Sequence, residues 1–212
     1  MSAPSDAGTI VVTGTGRVAV EPDVADLRLG VTVSRDSVGE ARSEAAQAMS
    51  AILAAVTAAG VASRDIRTSL LSVQPRYDYR DGKAPALVGY ELANMVEVTV
   101  RDLASVTDVV DGSLRAGATS VDGLTFHLDD AAEPERAARM AAVTAARERA
   151  DILAEAAGVT IAGVVDIVEG GPPPAFPRAK AERMMLAADA PTPVSVGTTE
   201  ISATVTVTYR IA

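Results

Sequence analysis

Apolar and polar residues alternate along much of the chain with the period of two that marks a half-buried strand. In Thr9 to Val20, Ile10, Val12, Val18 and Val20 share a face with Gly14 and Gly16. A glycine inside a strand marks a bulge or the close approach of another backbone. After the turn residues Glu21-Pro22-Asp23, the stretch Val24 to Ser34 points Leu27, Leu29, Val31 and Val33 inward and Asp26, Arg28 and Thr32 outward. These first two strands are expected to pair as a hairpin. Asp65 to Tyr79 is a third strand, with Leu71, Val73, Tyr77 and Tyr79 alternating and Pro75 indicating an edge or a bulge. Tyr90 to Val100 is the fourth. Val121 to Asp129 is the fifth, with Leu124, Phe126 and Leu128 on one face and Thr125, His127 and Asp129 on the other. Ile161 to Glu169 is the sixth. The cleanest alternation comes last: Ile201, Ala203, Val205, Val207, Tyr209 and Ile211 against Ser202, Thr204, Thr206, Thr208 and Arg210.

Between these strands the period changes to three and four. Ser37 and Glu40 form a capping box, and Val38, Ala41, Ala45, Ala48, Ile52, Val56 and Ala59 make the apolar stripe of a helix closed by Gly60. Asp102 caps a second helix with the stripe Leu103, Val106, Val110 and Leu114, ended by Gly117. The third helix is the longest, about 40 Å from Asp130 to Ala157 at 1.5 Å per residue. Its expected cap is Asp130 with Glu133, and Pro134 lies in the first turn, where a missing N–H is tolerated. Its expected inward stripe is Val143, Ala146, Ala150, Leu153 and Ala157, and Gly158 sits at the left-handed C-cap position.

The order ββαββαβαββ predicts an α+β protein with an antiparallel-rich sheet of about seven strands and three helices. Val24 to Asp129 reads βαββαβ, a ferredoxin-like unit. No linker splits the chain before Gly170, so 9–211 reads as a single domain after a disordered N-terminus at 1–8. The run Gly170-Gly-Pro-Pro-Pro174 breaks the pattern, and 170–198 reads as a Pro-rich loop or arm. Met184, Met185 and Leu186 form an apolar knot inside it.

Composition narrows the chemistry. The chain is 48% hydrophobic but only 3% aromatic, so its core is built from Val, Ile, Leu and Ala, and Ala-rich helices can approach a sheet closely. A net charge of −9 argues against nucleic acid and anionic membranes as partners, because both require a basic footprint. The absence of cysteine excludes disulfides, thiolate nucleophiles and Cys-based metal sites. The first residues, Met1 to Gly8, have neither a basic nor an apolar region of the secretory type. The expected location is therefore cytoplasmic, or periplasmic or secreted if an export signal has been removed. No apolar run reaches the roughly 18–20 residues of a membrane-spanning helix.

No constellation of residues points to catalysis. Thr13-Gly-Thr-Gly-Arg17 lies within a strand, whereas a phosphate loop leads into a helix N-terminus, so strand packing is the expected role. His127 is the single histidine and falls on the outward face of its strand near Asp129 and Asp130. A Ser-His-Asp triad would have to use it, and no Gly-x-Ser-x-Gly elbow accompanies it. The carboxylates Asp129, Asp130, Glu133 and Glu135 suit the dipole of a helix start. No cofactor and no metal are expected. The candidate interface residues are Met184, Met185 and Leu186 in the arm, and Tyr77 and Tyr79, an aromatic pair for a partner or for strand packing.

Several stretches together resemble the SIMPL-domain family. These are Thr9-Ile-Val-Val-Thr-Gly-Thr-Gly-Arg-Val-Ala-Val-Glu-Pro-Asp23, Gly89-Tyr90 with its alternating strand, Gly117-Ala-Thr-Ser-Val-Asp-Gly-Leu-Thr-Phe126, and the Ala- and Arg-rich helix Ala142 to Gly158. The likeness runs from Thr9 to Ile211. The family includes bacterial periplasmic immunogenic proteins and a eukaryotic branch associated with a pelle-like kinase. The resemblance implies an α+β fold and assembly into rings or larger oligomers, with no catalytic residues to carry over. The expected function is thus a non-enzymatic, self-assembling protein, with an unidentified protein as a further partner. The alternatives are a small-ligand or peptide-binding module using an edge strand or the 170–198 loop, and, more weakly, a hydrolase with a carboxylate site.

Overall fold

The structure is a computed structural model and describes residues 8–79, 85–170 and 194–212. The chain forms two compact units, one built around Pro22–Leu128 and the other from both ends of the chain with Asp129 onward. The element order is the expected ββαββαβαββ: β1 (Thr9–Val20), β2 (Val24–Arg35), α1 (Val38–Ala58), β3 (Ile66–Asp78), β4 (Ala86–Val100), α2 (Val106–Arg115), β5 (Ser120–His127), α3 (Ala132–Ala157), β6 (Ile161–Glu169) and β7 (Thr199–Ile211). Short 3₁₀ turns precede β3 and α2. The strands lie in two antiparallel sheets, β3-β4-β2-β5 and β1-β7-β6. The expected hairpin between β1 and β2 does not form. β1 pairs with β7, and β2 pairs with β4 and β5. Pairing between sequence neighbours was the default expectation; the pleats of β1 and β7 match over all twelve residues of β1, and that long-range match prevails.

The unit built on β2 to β5 is the expected ferredoxin-like βαββαβ arrangement. Leu27, Leu29, Val31 and Val33 of β2 are buried, as are Leu92, Val96, Val98 and Val100 of β4. α1 covers them with Ala41, Ala45, Met49, Ile52 and Val56. The Ser37 hydroxyl caps this helix, accepting from the Glu40 N–H at 3.3 Å and donating to the Glu40 carboxylate at 3.0 Å. The stripe of α2 is rotated from its expected face. Val106, Val109, Val110 and Ser113 are buried, whereas Leu114 is exposed. Val109 lies three residues after Val106, and with Val110 and Ser113 it continues a narrower stripe than one centred on Leu114. β5 is an edge strand, and its expected inward residue Leu124 is exposed.

In the second unit, α3 lies on β1 and β7. Its buried residues are Ala138, Ala142, Ala146, Ala150 and Ala154, every fourth position without exception. Three of the expected inward residues, Val143, Leu153 and Ala157, are exposed instead, Leu153 at 49%. Size misled the sequence reading: the face of α3 that meets the sheet is the one with the smallest side chains. The reason lies in β1. A Cβ on Gly14 would sit 2.0 Å from the Ala142 carbonyl oxygen and 2.5 Å from the Ala146 nitrogen, and one on Gly16 would sit 2.1 Å from the Ala138 carbonyl oxygen. The helix therefore rests backbone-to-backbone on the strand, as the paired glycines anticipated.

The start of α3 also differs from expectation. The helix begins at Ala132, and the Asp130 carboxylate accepts from the Ala132 N–H at 2.8 Å. Glu133 pairs with Arg136 rather than closing a capping box. Pro134 sits in the first turn, and Gly158 ends the helix at φ +69°, the left-handed conformation expected of it. β7 is the central strand of its sheet, with Val205, Val207 and Tyr209 buried. The Arg147 guanidinium lies 5.6 Å from the Tyr209 ring centroid. Arg139 joins α3 to β6 through Glu169 at 2.8 Å.

Candidate functional site

β3 is the outermost strand of its sheet, which accounts for the interruption at Pro75. α1 packs over β2 and β4 and leaves β3 uncovered. A cleft of about 280 Å³, lined by Leu53, Thr57, Ser63, Ile66, Thr68 and Val96, runs along the flank of the helix at the start of this uncovered strand. Beyond it, Val73 stands opposite Leu92 and Tyr77 opposite Leu87. Leu92 belongs to the core under α1, so the alternating positions Leu71, Val73, Pro75, Tyr77 and Tyr79 lie on the helix-bearing face of the sheet, past the helix that would have covered them. Leu71 is 67% exposed and Tyr79 75%, and Val73 and Tyr77 are exposed as well. The Tyr77 and Tyr79 rings lie 6.3 Å apart, tilted by 59°. Leu87 and Val88 of β4 extend the apolar surface.

The candidate residues Tyr77 and Tyr79 are thus brought together on one exposed edge. Met184, Met185 and Leu186 lie outside the described residues. The sequence identifies Leu71 and Val73 only as alternating positions of the third strand, and a fourth strand starting at Tyr90 leaves out Leu87 and Val88; the apolar run Ala86-Leu-Val88 before Gly89 is the available signal. Alternation identifies the two faces of a strand but not whether a helix covers either of them.

Elsewhere the polar groups are partnered in ways that explain them structurally. His127 ends β5 with its Nε2 3.7 Å from the Asp26 carboxylate, which also accepts a 2.6 Å hydrogen bond from the Thr99 hydroxyl. His127 is thus placed beside Asp26 on the neighbouring strand, an arrangement that lacks a nucleophile hydrogen-bonded to the histidine. A second cleft, of about 230 Å³, contains Asp65, Arg64, Arg101 and Asp102. Arg101 donates to the Asp65 carboxylate at 3.1 Å, and Asp102 caps the Ala104 N–H. Gly14 and Gly16, the centre of the phosphate-loop alternative, face α3 within β1. Among the described residues, no group of three or more His, Cys, Asp or Glu side chains is placed to hold a metal ion. No helix among them is long and apolar enough to cross a membrane.

A family model described as SIMPL, protein of unknown function, matches residues 10–209. The 26 kDa periplasmic immunogenic protein of Brucella melitensis is 35% identical over 210 residues, covering 95% of this chain and 84% of that protein. Its counterpart in Brucella abortus matches to the same extent. The uncharacterized protein YggE of Escherichia coli is 32% identical over 149 residues, 70% of this chain and 60% of that protein.

Proposed function

The chain belongs to the SIMPL family, and on that premise we propose that it is a non-enzymatic protein that associates with copies of itself into a closed homo-oligomer. The observation that carries this reading is the apolar stripe Leu71, Val73, Tyr77 and Tyr79, exposed on a sheet edge that none of the described helices covers. Contiguous exposed apolar surface marks an interaction site. Tyrosine side chains are favoured at such sites because each combines a large apolar ring with a polar tip. The chain has only four tyrosines, and two of them lie here. A self-associating role also suits a sequence with one histidine, no cysteine and an acidic surface, since it demands complementarity rather than reactive groups. The Brucella relatives, named as periplasmic proteins, favour a periplasmic place of work.

The same edge would accept an extended peptide by strand addition, which is the second reading. Light scattering on the purified protein separates the two. Self-association gives a mass at a multiple of the subunit at micromolar concentration. A monomer under those conditions would sink the first reading and leave the second.

A further inference from the structure

We infer that the partner at this edge is the β3 strand of a second copy, added antiparallel across a two-fold axis so that two sheets become one; the inference rests on the self-association reading and gives it a place. The four sheet edges of the molecule differ in how far they invite a further strand. An exposed edge offers unpaired N–H and C=O groups, and proteins blunt it with bulges, charges or short strands. β6 carries two register shifts within nine residues. β5 has eight residues, a register shift and Asp122. β1 is overlaid by α3, whose Arg149 donates to the Thr13 carbonyl. β3 is thirteen residues long, and from Thr68 to Pro75 it carries no charge. Its pairing with β4 shifts register at Ser69, an extra residue of β3 before the apolar stripe begins, and again between Arg76 and Tyr77, where the extra residue, Val88, belongs to β4. β3 itself therefore runs without a bulge from Leu70 to Asp78. Pro75 withholds one donor and leaves its neighbours free to pair.

Self-complementarity selects a second copy over an unrelated strand. A two-fold perpendicular to the sheet sets residues opposite one another whose numbers have a constant even sum. It therefore keeps the apolar face against the apolar face. With the axis at Gln74, Leu71 meets Tyr77 of the partner copy and Val73 meets Pro75. With the axis at Pro75, Leu71 meets Tyr79 and Val73 meets Tyr77. In both registers Arg76 faces an uncharged residue, Ser72 or Gln74, and Asp78 faces Leu70 or Ser72, so no charge lies opposite its like. Aromatic–aliphatic pairs of this kind are the stabilising unit of antiparallel strands. With the axis at Pro75 the pairing sets all four residues of the stripe beside one another.

The chain has no cysteine, so single cysteines report the register directly. Gln74→Cys and Pro75→Cys each place a thiol opposite itself for one of the two axes, at the Cα separation of about 4.4–6.8 Å that a disulfide requires. Ser50→Cys, exposed on α1, serves as the control. Under mild oxidation, one of the two edge variants should convert most of its subunits to a disulfide-linked dimer, with little conversion of the control. Val73→Arg should lower the scattering mass at least twofold while the circular dichroism spectrum stays unchanged. If the wild-type protein is assembled, neither edge cysteine crosslinks and Val73→Arg keeps the full mass, the β3 pairing is wrong and self-association runs through another surface. If the wild-type protein is monomeric at micromolar concentration, both readings fall together.

Discussion

The two units of this chain solve the problem of laying a helix on a sheet in opposite ways. In the ferredoxin-like unit, α1 and α2 meet the sheet with branched side chains: Ile52, Val56, Val106 and Val109 against Leu27, Leu29, Val98 and Val100, all fully buried. In the other unit, α3 meets β1 with Ala142 and Ala146 against Gly14 and Gly16. The first contact is thick and made of side chains that can adjust their rotamers. The second is thin and made of main chain. A three-stranded sheet under one helix encloses little volume, and close approach replaces that volume with dispersion contacts between backbones. The exchange makes the contact intolerant of added atoms, because a backbone has no rotamer with which to yield.

The largest effect should therefore come from adding atoms to the thin contact. Gly16→Val places a side chain where the Ala138 carbonyl oxygen is 2.1 Å and the Ala142 nitrogen 2.5 Å away. Overpacking typically destabilises by 1–3 kcal/mol and occasionally more, and with main-chain neighbours a loss above about 3 kcal/mol is expected in denaturant melts. Combining it with Ala142→Gly should give no rescue, since the colliding atoms are backbone. A rescue would show that side chains, not main chains, set the spacing.

The next effect tests the thick contact from the opposite direction. Ile52→Ala removes a fully buried branched side chain from α1 and should destabilise by about 2–5 kcal/mol, with the cavity adding to the transfer term. The matching deletion in the thin contact, Ala146→Gly, removes one methyl and a helix-favouring residue and should destabilise by about 1 kcal/mol. Equal losses at the two positions would erase the distinction between the units.

A smaller effect is expected from Leu153→Ala. As a member of the inward stripe read from the sequence, this residue would contribute several kcal/mol. At 49% exposure on the flank of α3 it should contribute less than about 1 kcal/mol, partly offset by the higher helix propensity of alanine. A loss of 2 kcal/mol or more in a urea titration would return Leu153 to the core.

The contrast between the units also explains what could be read in advance. The order of elements, the ferredoxin-like unit, the central burial of β7 face residues and the role of Gly14 and Gly16 follow from alternation and spacing, which are local. The inward face of α3 does not, because hydropathy ranks Val143 and Leu153 above alanine, whereas the glycines of a strand distant in sequence admit only alanine. The pairing of β1 with β7 is likewise non-local. The apolar stripe on β3 was visible as alternation, and its exposure was not, because exposure depends on α1 lying over β2 and β4 instead. The candidate surface was thus half legible: Tyr77 and Tyr79 could be picked from the chain, but the reason for singling them out came from the helix that stops short of them.

The smallest effect should come from His127→Ala, which tests whether polar contacts between strands matter beside either kind of packing. The side chain is 43% exposed, and its Nε2 lies 3.7 Å from the Asp26 carboxylate, beyond the range of a good hydrogen bond. Asp26 keeps its 2.6 Å bond from Thr99 without the histidine. The main-chain contribution of the residue, a carbonyl that accepts from the Asp23 N–H at 3.1 Å, survives the substitution. An exposed ion pair of this geometry contributes about 0–1 kcal/mol at most, and only when the imidazole is charged. His127→Ala should therefore change the unfolding free energy by no more than about 0.5 kcal/mol, and leave the scattering mass as it was. A loss above about 1 kcal/mol would mean that the contact between β5 and β2 depends on this side chain. A stoichiometric metal in the wild-type protein that disappears in the variant would mean that the carboxylates around it have a chemical role after all, and the non-enzymatic reading would have to be given up.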